Sequence, residues 1–406
     1  MKRASLLLKL SLRNVFRNRY RSLYAIATVA IGAMGLCLFM GFNRGLMNQY
    51  RANTIRARWG YGQIYTRGYW GTAHARPREK WIEDPEPLIE NLRKLPGVQQ
   101  LFPRVTLNAM LVAHGQAVAG QGEGVDGIAE ARFFDQLNYV EGGDFKGLPR
   151  GIVLGQGLAQ GLGVKVGDEL QLVARNTEGS THGAVVMVAG IFQTGSHEFD
   201  TRAFRVPLVL AQDLLATDRV ECIAVALAQV GDWPTFAREL IAEFPQLEAI
   251  PFDELDKVYY RHAVDWLDAQ FSFIRSIILL VVFLAIFNVI SVTVIERTRE
   301  MAMLRANGDS RLEIALGHAL EATALGLIGG IAGLAAGWGL TLGPLHQGVA
   351  MPPAPGITRS FRILLDPSAS DAWQVVLLCI ATAAVSSLLP VWRATRMPIA
   401  EALRHP

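Results

Sequence analysis

The chain of 406 residues is 51% hydrophobic and only 18% charged, with a mean hydropathy of +0.25, which is too apolar for a water-soluble protein with an ordinary surface. Its net charge of +3 gives no argument for nucleic acid as a partner. Three scattered cysteines, Cys37, Cys222 and Cys379, imply neither a disulfide framework nor a metal cluster, so the composition points to an integral membrane protein with a large soluble part.

The first stretch, 1–21, carries Lys2, Arg3, Lys9, Arg13, Arg17, Arg19 and Arg21 and no acid. Lys9, Arg13 and Arg17 recur every fourth residue, as do Leu8, Leu12 and Phe16. That spacing predicts an amphipathic helix lying on anionic lipid of the inner leaflet. Four runs free of Asp, Glu, Lys and Arg follow, at 22–43, 276–295, 322–343 and 372–392. Each meets the roughly 20 residues, at about 1.5 Å apiece, that the hydrocarbon layer requires. One midplane charge would cost about 2.5–3.5 kcal/mol, so its absence from all four runs is informative. The basic leader puts the amino terminus in the cytoplasm by the positive-inside rule, and the first run reads as a retained signal anchor. Residues 44–275 then lie outside, with the return loop 344–371 and its Pro352–Gly356 cluster. The tail 393–406, with Arg393, Arg396 and Arg404, is inside.

Good helix formers over Arg44–Arg58 and Phe252–Arg275 predict that spans one and two continue outward as stalks around about 190 residues of soluble domain. Strands are expected at Gln63–Thr66, Val98–Val112 and Glu221–Ala228, and helices at Pro85–Leu95 and Trp233–Phe244. The middle, 142–210, is rich in Gly and β-branched residues, with strands expected at Gly151–Leu154, Glu169–Ala174, Ala184–Phe192 and Phe204–Val209. An α+β domain interrupted by a β-rich subdomain is the expectation.

Between spans two and three lies the insert Glu296–Glu313, ERTREMAMLRANGDSRLE, whose four acids and four arginines cannot enter hydrocarbon. A helix there places Met301, Leu304 and Arg305 on one side. Asn307-Gly308 supplies the left-handed residue that stops it, and Ser310 with Glu313 is a capping box that starts the next helix. Helix, turn, helix at a membrane surface suits docking to a soluble partner. Span three carries Gly326, Gly329, Gly330, Gly333 and Gly337, small residues that let helices approach closely, either within the chain or at a dimer seam. Asn288, the most polar midspan residue, is expected to serve as interhelical glue.

The phosphate-cradling G-x-x-x-x-G-K-[ST] does not occur, nor do H-E-x-x-H, C-x-x-C or G-x-S-x-G. Gly155–Gly163, GQGLAQGLG, begins like a dinucleotide fingerprint but has Gln160 where the third Gly belongs. No catalytic, cofactor or metal residues are therefore expected in this chain.

The topology and the insert together resemble the FtsX-like permease family, including MacB-type and LolC/LolE-type members, the membrane subunits of type VII ABC transporters. The most specific match is Glu296, Arg297, Arg299, Glu300, Leu304, Arg305, Ala306 and Gly308, fitting E-R-x-R-E-x-x-x-L-R-A-x-G. Leu12-Arg13-Asn14 with Arg17-Asn18, Leu154-Gly155 through Gly167-Asp168, and Ala400–Arg404 support it. The resemblance implies a fold of four transmembrane α-helices with a large α+β extracytoplasmic domain, a MacB-like periplasmic core, inserted between helices 1 and 2. It also implies an inner-membrane permease subunit that is not an enzyme, in a homodimer or heterodimer. A separate cytoplasmic ATPase would bind ATP and Mg and push on Glu296, Arg297, Arg299, Glu300, Met303, Leu304, Arg305 and Gly308. Lipoprotein, peptide or toxin export or extraction is the activity implied, with lipids and a periplasmic or outer-membrane protein as further partners. The sequence departs from the family at Asn307, where an apolar residue is common, and in carrying no fused nucleotide-binding domain, unlike MacB itself. The competing reading is a membrane receptor with an extracytoplasmic ligand-binding domain.

Overall fold

The computed structural model describes residues 19–72, 78–134, 137–145, 147–176, 179–194, 197–257, 261–352 and 361–398. The basic helix expected over 1–21 lies outside them through Asn18, as do Val258 and Tyr259 of the second stalk, most of the proline cluster, and Ala400–Arg404. The chain divides into two compact units. A membrane unit is formed by Met1–Asn48, Asp265–Met351 and Arg362–Pro406, and a head by Gln49–Val264 and Pro352–Phe361.

In chain order, α1 runs Arg19–Thr54 and passes into a π-helical turn, Ile55–Trp59. Then come β1 Gly62–Thr66, α2 Pro85–Leu92, β2 Val98–Ala113, β3 Gln116–Val125, α3 Gly127–Glu130, β4 Asn138–Gly142, β5 Gly151–Gly155 and α4 Gln156–Leu162. After β6 Glu169–Arg175, β7 Thr181–Gln193 and β8 Ala203–Pro207 follow α5 Leu208–Leu215, β9 Cys222–Leu227, α6 Trp233–Glu243, β10 Leu247–Pro251 and α7 Phe252–Leu255. The membrane unit continues with α8 His262–Glu296, α9 Thr298–Ala306, α10 Arg311–Leu342, the paired β11 Val349–Met351 and β12 Phe361–Ile363, and α11 Ala369–Arg396.

One 16-residue strand, β2, organises the head. Its first half, Val98–Arg104, pairs with β9 in a sheet of order β10-β1-β9-β2, onto which α2 and α6 lower Ile89, Leu92, Phe236 and Leu240. Its second half pairs with β3 on one side and β6 on the other. The further pairings β3–β8, β8–β5, β5–β7 and β7–β6 close a ring, so the β-rich part is a small barrel that leaves no open edge around its circumference. Alternate residues such as Leu107, Leu111, Ile152, Leu154, Leu172, Val186, Phe204 and Val206 fill it, together with Leu158 and Leu162 from α4 and Leu210 and Leu214 from α5.

Two expectations are corrected here. The strand expected to reach Val209 stops at Pro207, whose missing N–H and fixed φ suit the residue before a helix. Leu210, Ala211, Leu214 and Leu215 then bury a helical stripe. Strand β3 lies beyond the 142–210 window and is built on glycines, which strands usually avoid. A Cβ at Gly122 would sit 2.1 Å from the Phe204 ring, and one at Gly124 would sit 2.4 Å from Ala211. Those glycines make room for the barrel filling.

In the membrane unit, Val29, Ala33 and Leu36 of α1 share a core with Ile286 of α8, Ala322 of α10, and Val375, Cys379 and Ala383 of α11. The four helices α1, α8, α10 and α11 are each long and apolar enough to cross a membrane. Helix α11 continues through Pro390 to Arg396, an arrangement tolerated where neighbouring helices satisfy the freed backbone. Arg44 forks Asp371, with Nε–Oδ2 at 3.0 Å and Nη2–Oδ1 at 2.7 Å, joining α1 to α11.

The glycines of α10 serve packing within the chain. A Cβ at Gly326 would meet Ala383 and the Cys379 carbonyl of α11 at 2.9 Å, and Gly330 faces Cys379 of α11. One at Gly333 would lie 2.4 Å from the Ala30 carbonyl of α1, and Gly337 faces Cys37. Asn288 is exposed, in line with Leu284 and Val292 one turn to either side.

Candidate functional site

The charged insert folds as helix, turn, helix. Its first helix, α9, ends in a Schellman motif: Asp309 N–H donates to the Leu304 carbonyl and Gly308 N–H to that of Arg305, both at 3.1 Å. Gly308 takes φ +100°, a backbone state that a side chain would strain. The next helix starts with the reciprocal cap, Ser310 N–H donating to Glu313 Oε2 at 3.0 Å and Glu313 N–H to Ser310 Oγ at 3.2 Å.

Three attachments fix this hairpin to the spans. Arg297 Nη1 donates to both oxygens of Glu321 on α10, at 2.8 Å each, while its Nε donates to Glu300 at 3.0 Å. Burial works against the Arg297 charge, but Glu321 and Glu300 outweigh it and raise the guanidinium pKa. Arg305 Nη1 donates to the Met397 carbonyl, just past α11, at 2.6 Å. Met301 is 1% exposed and belongs to one buried cluster with Val294, Ile314, Val391 and Ala394, so α9 shares a small core with α8, α10 and α11.

The residues named from sequence therefore divide. Arg297 and Arg305 point inward and hold the hairpin. Met303 is 48% exposed and Leu304 42%, with Glu296 and Arg299 also on the outside. The expectation that Met301, Leu304 and Arg305 share a side is corrected: α9 is amphipathic about an axis that buries Met301 and presents Leu304. Sequence reasoning did not assign Glu321 a partner. It also missed Leu312 and Leu316, exposed one turn apart at the start of α10. Together with Met303 and Leu304 they leave four large apolar side chains on a charged hairpin, a surface that costs solubility unless a protein covers it.

The GQGLAQGLG segment forms the strand–helix junction of β5 and α4, but a Cβ at Gly155 would lie 2.4 Å from the Asp200 carbonyl and one at Gly157 2.7 Å from Thr201. Those two glycines let 200–201 pack closely against the junction. Among the described residues no group of His, Cys, Asp and Glu could hold a metal ion.

Residues 272–399 match the FtsX-like permease C-terminal family, and residues 22–243 match the MacB-like periplasmic core domain. The lipoprotein-releasing system transmembrane protein LolC of Neisseria meningitidis is 25% identical over 97% of this chain and 96% of its own length. LolE of Haemophilus influenzae is 25% identical over 80% of this chain and 82% of its own length. The periplasmic region of MacB from Actinobacillus actinomycetemcomitans is 12% identical, with a TM-score of 0.36 over 50% of this chain and 94% of that one. The four spans, the inserted α+β domain and these two family matches place the chain in the FtsX-like permease family, as an ABC transporter permease subunit with a MacB-like periplasmic core domain.

Proposed function

We propose that this permease subunit transmits the work of a separate cytoplasmic ATPase, which binds ATP and Mg, to the head on the other side of the inner membrane. The observation that carries the reading is the hairpin 296–313. It is tied to α10 by Arg297–Glu321 and to the end of α11 by Arg305–Met397, while Met303, Leu304, Leu312 and Leu316 remain uncovered. A load applied to those apolar residues reaches three spans through short polar bonds and the Met301 cluster. Both termini and the hairpin are cytoplasmic in this reading, consistent with the basic leader and with the four arginines of the insert.

A second permease subunit is the natural cover for α8. Phe273, Ile277, Leu280, Leu284, Val292 and Ile295 lie exposed along it, and Asn288 in their midst would hydrogen-bond across the seam. The relatives named as lipoprotein-releasing proteins favour a lipoprotein as cargo over a peptide or toxin. The test is native co-purification from membranes. An ATPase chain should accompany the unaltered protein, and Leu304→Asp should lose it while still inserting. An unchanged complex would defeat the proposal.

A further inference from the structure

The foot of α1 is gripped inside the head by buried charge. At the π-helical turn, Arg205 Nη2 donates to the Ala57 carbonyl at 3.1 Å, and Arg104 Nη1 donates to the carbonyl of Arg58. These are the unsatisfied acceptors at the negative end of a long helix, where guanidinium groups are favoured. Arg104 comes from the half of β2 that pairs with β9 and Arg205 from β8 of the barrel ring, and Glu123 stands between them on β3, directly opposite Arg205 in the strand register.

Glu123 Oε1 takes Arg58 Nε at 2.8 Å, and its Oε2 lies 3.2 Å from Arg205 and 3.8 Å from Arg104. Glu130, on α3, holds Arg104 from behind at 2.7 and 2.9 Å. Phe134 lies 4.2 Å from the Arg104 guanidinium, and Trp59 and Phe199 lie 4.3 and 4.6 Å from that of Arg58. The start of the second stalk lies at the same place, where Ile55 packs with Phe252 of α7.

Three guanidinium groups and two carboxylates are a poor choice if stability alone is required, because apolar residues of equal volume often serve as well or better. Forked bonds do what apolar packing does not: they fix the angle and rotation of the helix end. We propose that Arg104, Arg205 and Glu123 are positioning residues for energy coupling, forming the joint through which movement of α1 turns the barrel. The inference rests on the transmission reading above and assigns it a place in the head.

The test uses the full chain in nanodiscs with the ATPase that co-purifies with it. Spin labels at exposed Gln171 on β6 and exposed Leu342 on α10 report the distance between the units, with and without ATP and vanadate. Arg205→Met should leave hydrolysis within twofold and the barrel folded, with amide protection in β2 and β3 retained. It should speed exchange over 55–60 at least tenfold and reduce the nucleotide-driven distance change by half or more. Glu123→Gln, which removes one charge at constant shape, should act in the same direction, and it decides the matter should Arg205→Met not fold. A full distance change in either folded variant, or exchange over 55–60 as slow as in the unaltered protein, overturns the joint. Absence of any nucleotide-driven change in the unaltered protein sinks the transmission reading and the joint with it.

Discussion

Arg297 places a single nitrogen, Nη1, at 2.8 Å from each carboxylate oxygen of Glu321, binding the start of the charged hairpin to α10 across 24 positions of sequence. Both side chains are largely covered, 11% and 13% exposed. Hydrogen-bonded charge in such a place is costly to leave unpaired.

Arg297→Met should therefore destabilise the membrane unit by about 3 kcal/mol, since Glu321 keeps its charge with only His318, 3.8 Å away, beside it. Adding Glu321→Leu should recover most of that loss. The measurement is a double-mutant cycle on thermal unfolding in detergent, and a double variant worse than the single one would contradict the pairing. Hydrolysis in the double variant should become uncoupled from the output, because the bond proposed to carry the load is gone.

Met301 and Leu304 stand three residues apart on α9 and should fail differently. Met301→Ala removes a buried side chain and should cost about 2–4 kcal/mol of stability. Leu304→Ala should stay within about 0.5 kcal/mol, as surface changes do, yet weaken ATPase binding at least tenfold. Unfolding curves and a pull-down titration on the same preparations separate the two outcomes.

Much of this arrangement was legible in the sequence because local chemistry carried it. The absence of charge marks the spans, Ser310 and Glu313 mark a cap, and Gly308 marks a stop. Strands β1, β5, β6, β7 and β9 follow from β-branched runs, and α6 from the spacing of Phe236, Leu240 and Phe244. What stayed hidden depends on distant partners. Strand β3 is glycine-rich because of Phe204, about 80 residues later. Ring closure requires β6 to return to β2, which no local pattern encodes. Arg104, Glu123 and Arg205 look like solvated strand residues until the end of α1 is laid among them. On α9, a 3.6-residue period allows either Met301 or Leu304 to face inward, and only the apolar pocket of Val294, Ile314 and Val391 decides.

The close approach of α10 to α1 gives a third prediction. Gly333→Val would press two methyl groups where a Cβ alone already lies 2.4 Å from the Ala30 carbonyl. Membrane-inserted yield should fall several-fold and the thermal midpoint should drop. Gly339→Val, on the same helix where nothing lies within 4 Å, should be close to neutral. Quantitative blots of membrane fractions and unfolding scans check both, and equal behaviour of the two variants would contradict the packing.

Acid sensitivity of the barrel follows from Glu123. Burial raises its carboxyl pKa, but Arg58, Arg205 and Arg104 more than reverse this and hold it at about 2, against 4.5 for the free group. In the window between these values the unfolded state binds the proton that the folded state refuses. The stabilisation is therefore complete above about pH 4.5 and is lost as the pH falls toward 2, a total of about 3 kcal/mol. Amide exchange in β3 of the full chain, corrected for intrinsic rates, should show this loss. Glu123→Gln should remove the part of the slope that belongs to this carboxyl, and an identical slope in the variant would contradict the assignment.

We propose that an ATPase seats on the exposed side of α9. Site-specific photo-crosslinking from a residue installed at Leu304, in intact cells, tests it most directly. One adduct containing the ATPase chain is expected, lost when Met303 is also changed to Asp, with no reaction toward a membrane-impermeant reagent added outside. Labelling of that position from outside, with no ATPase adduct, would contradict it.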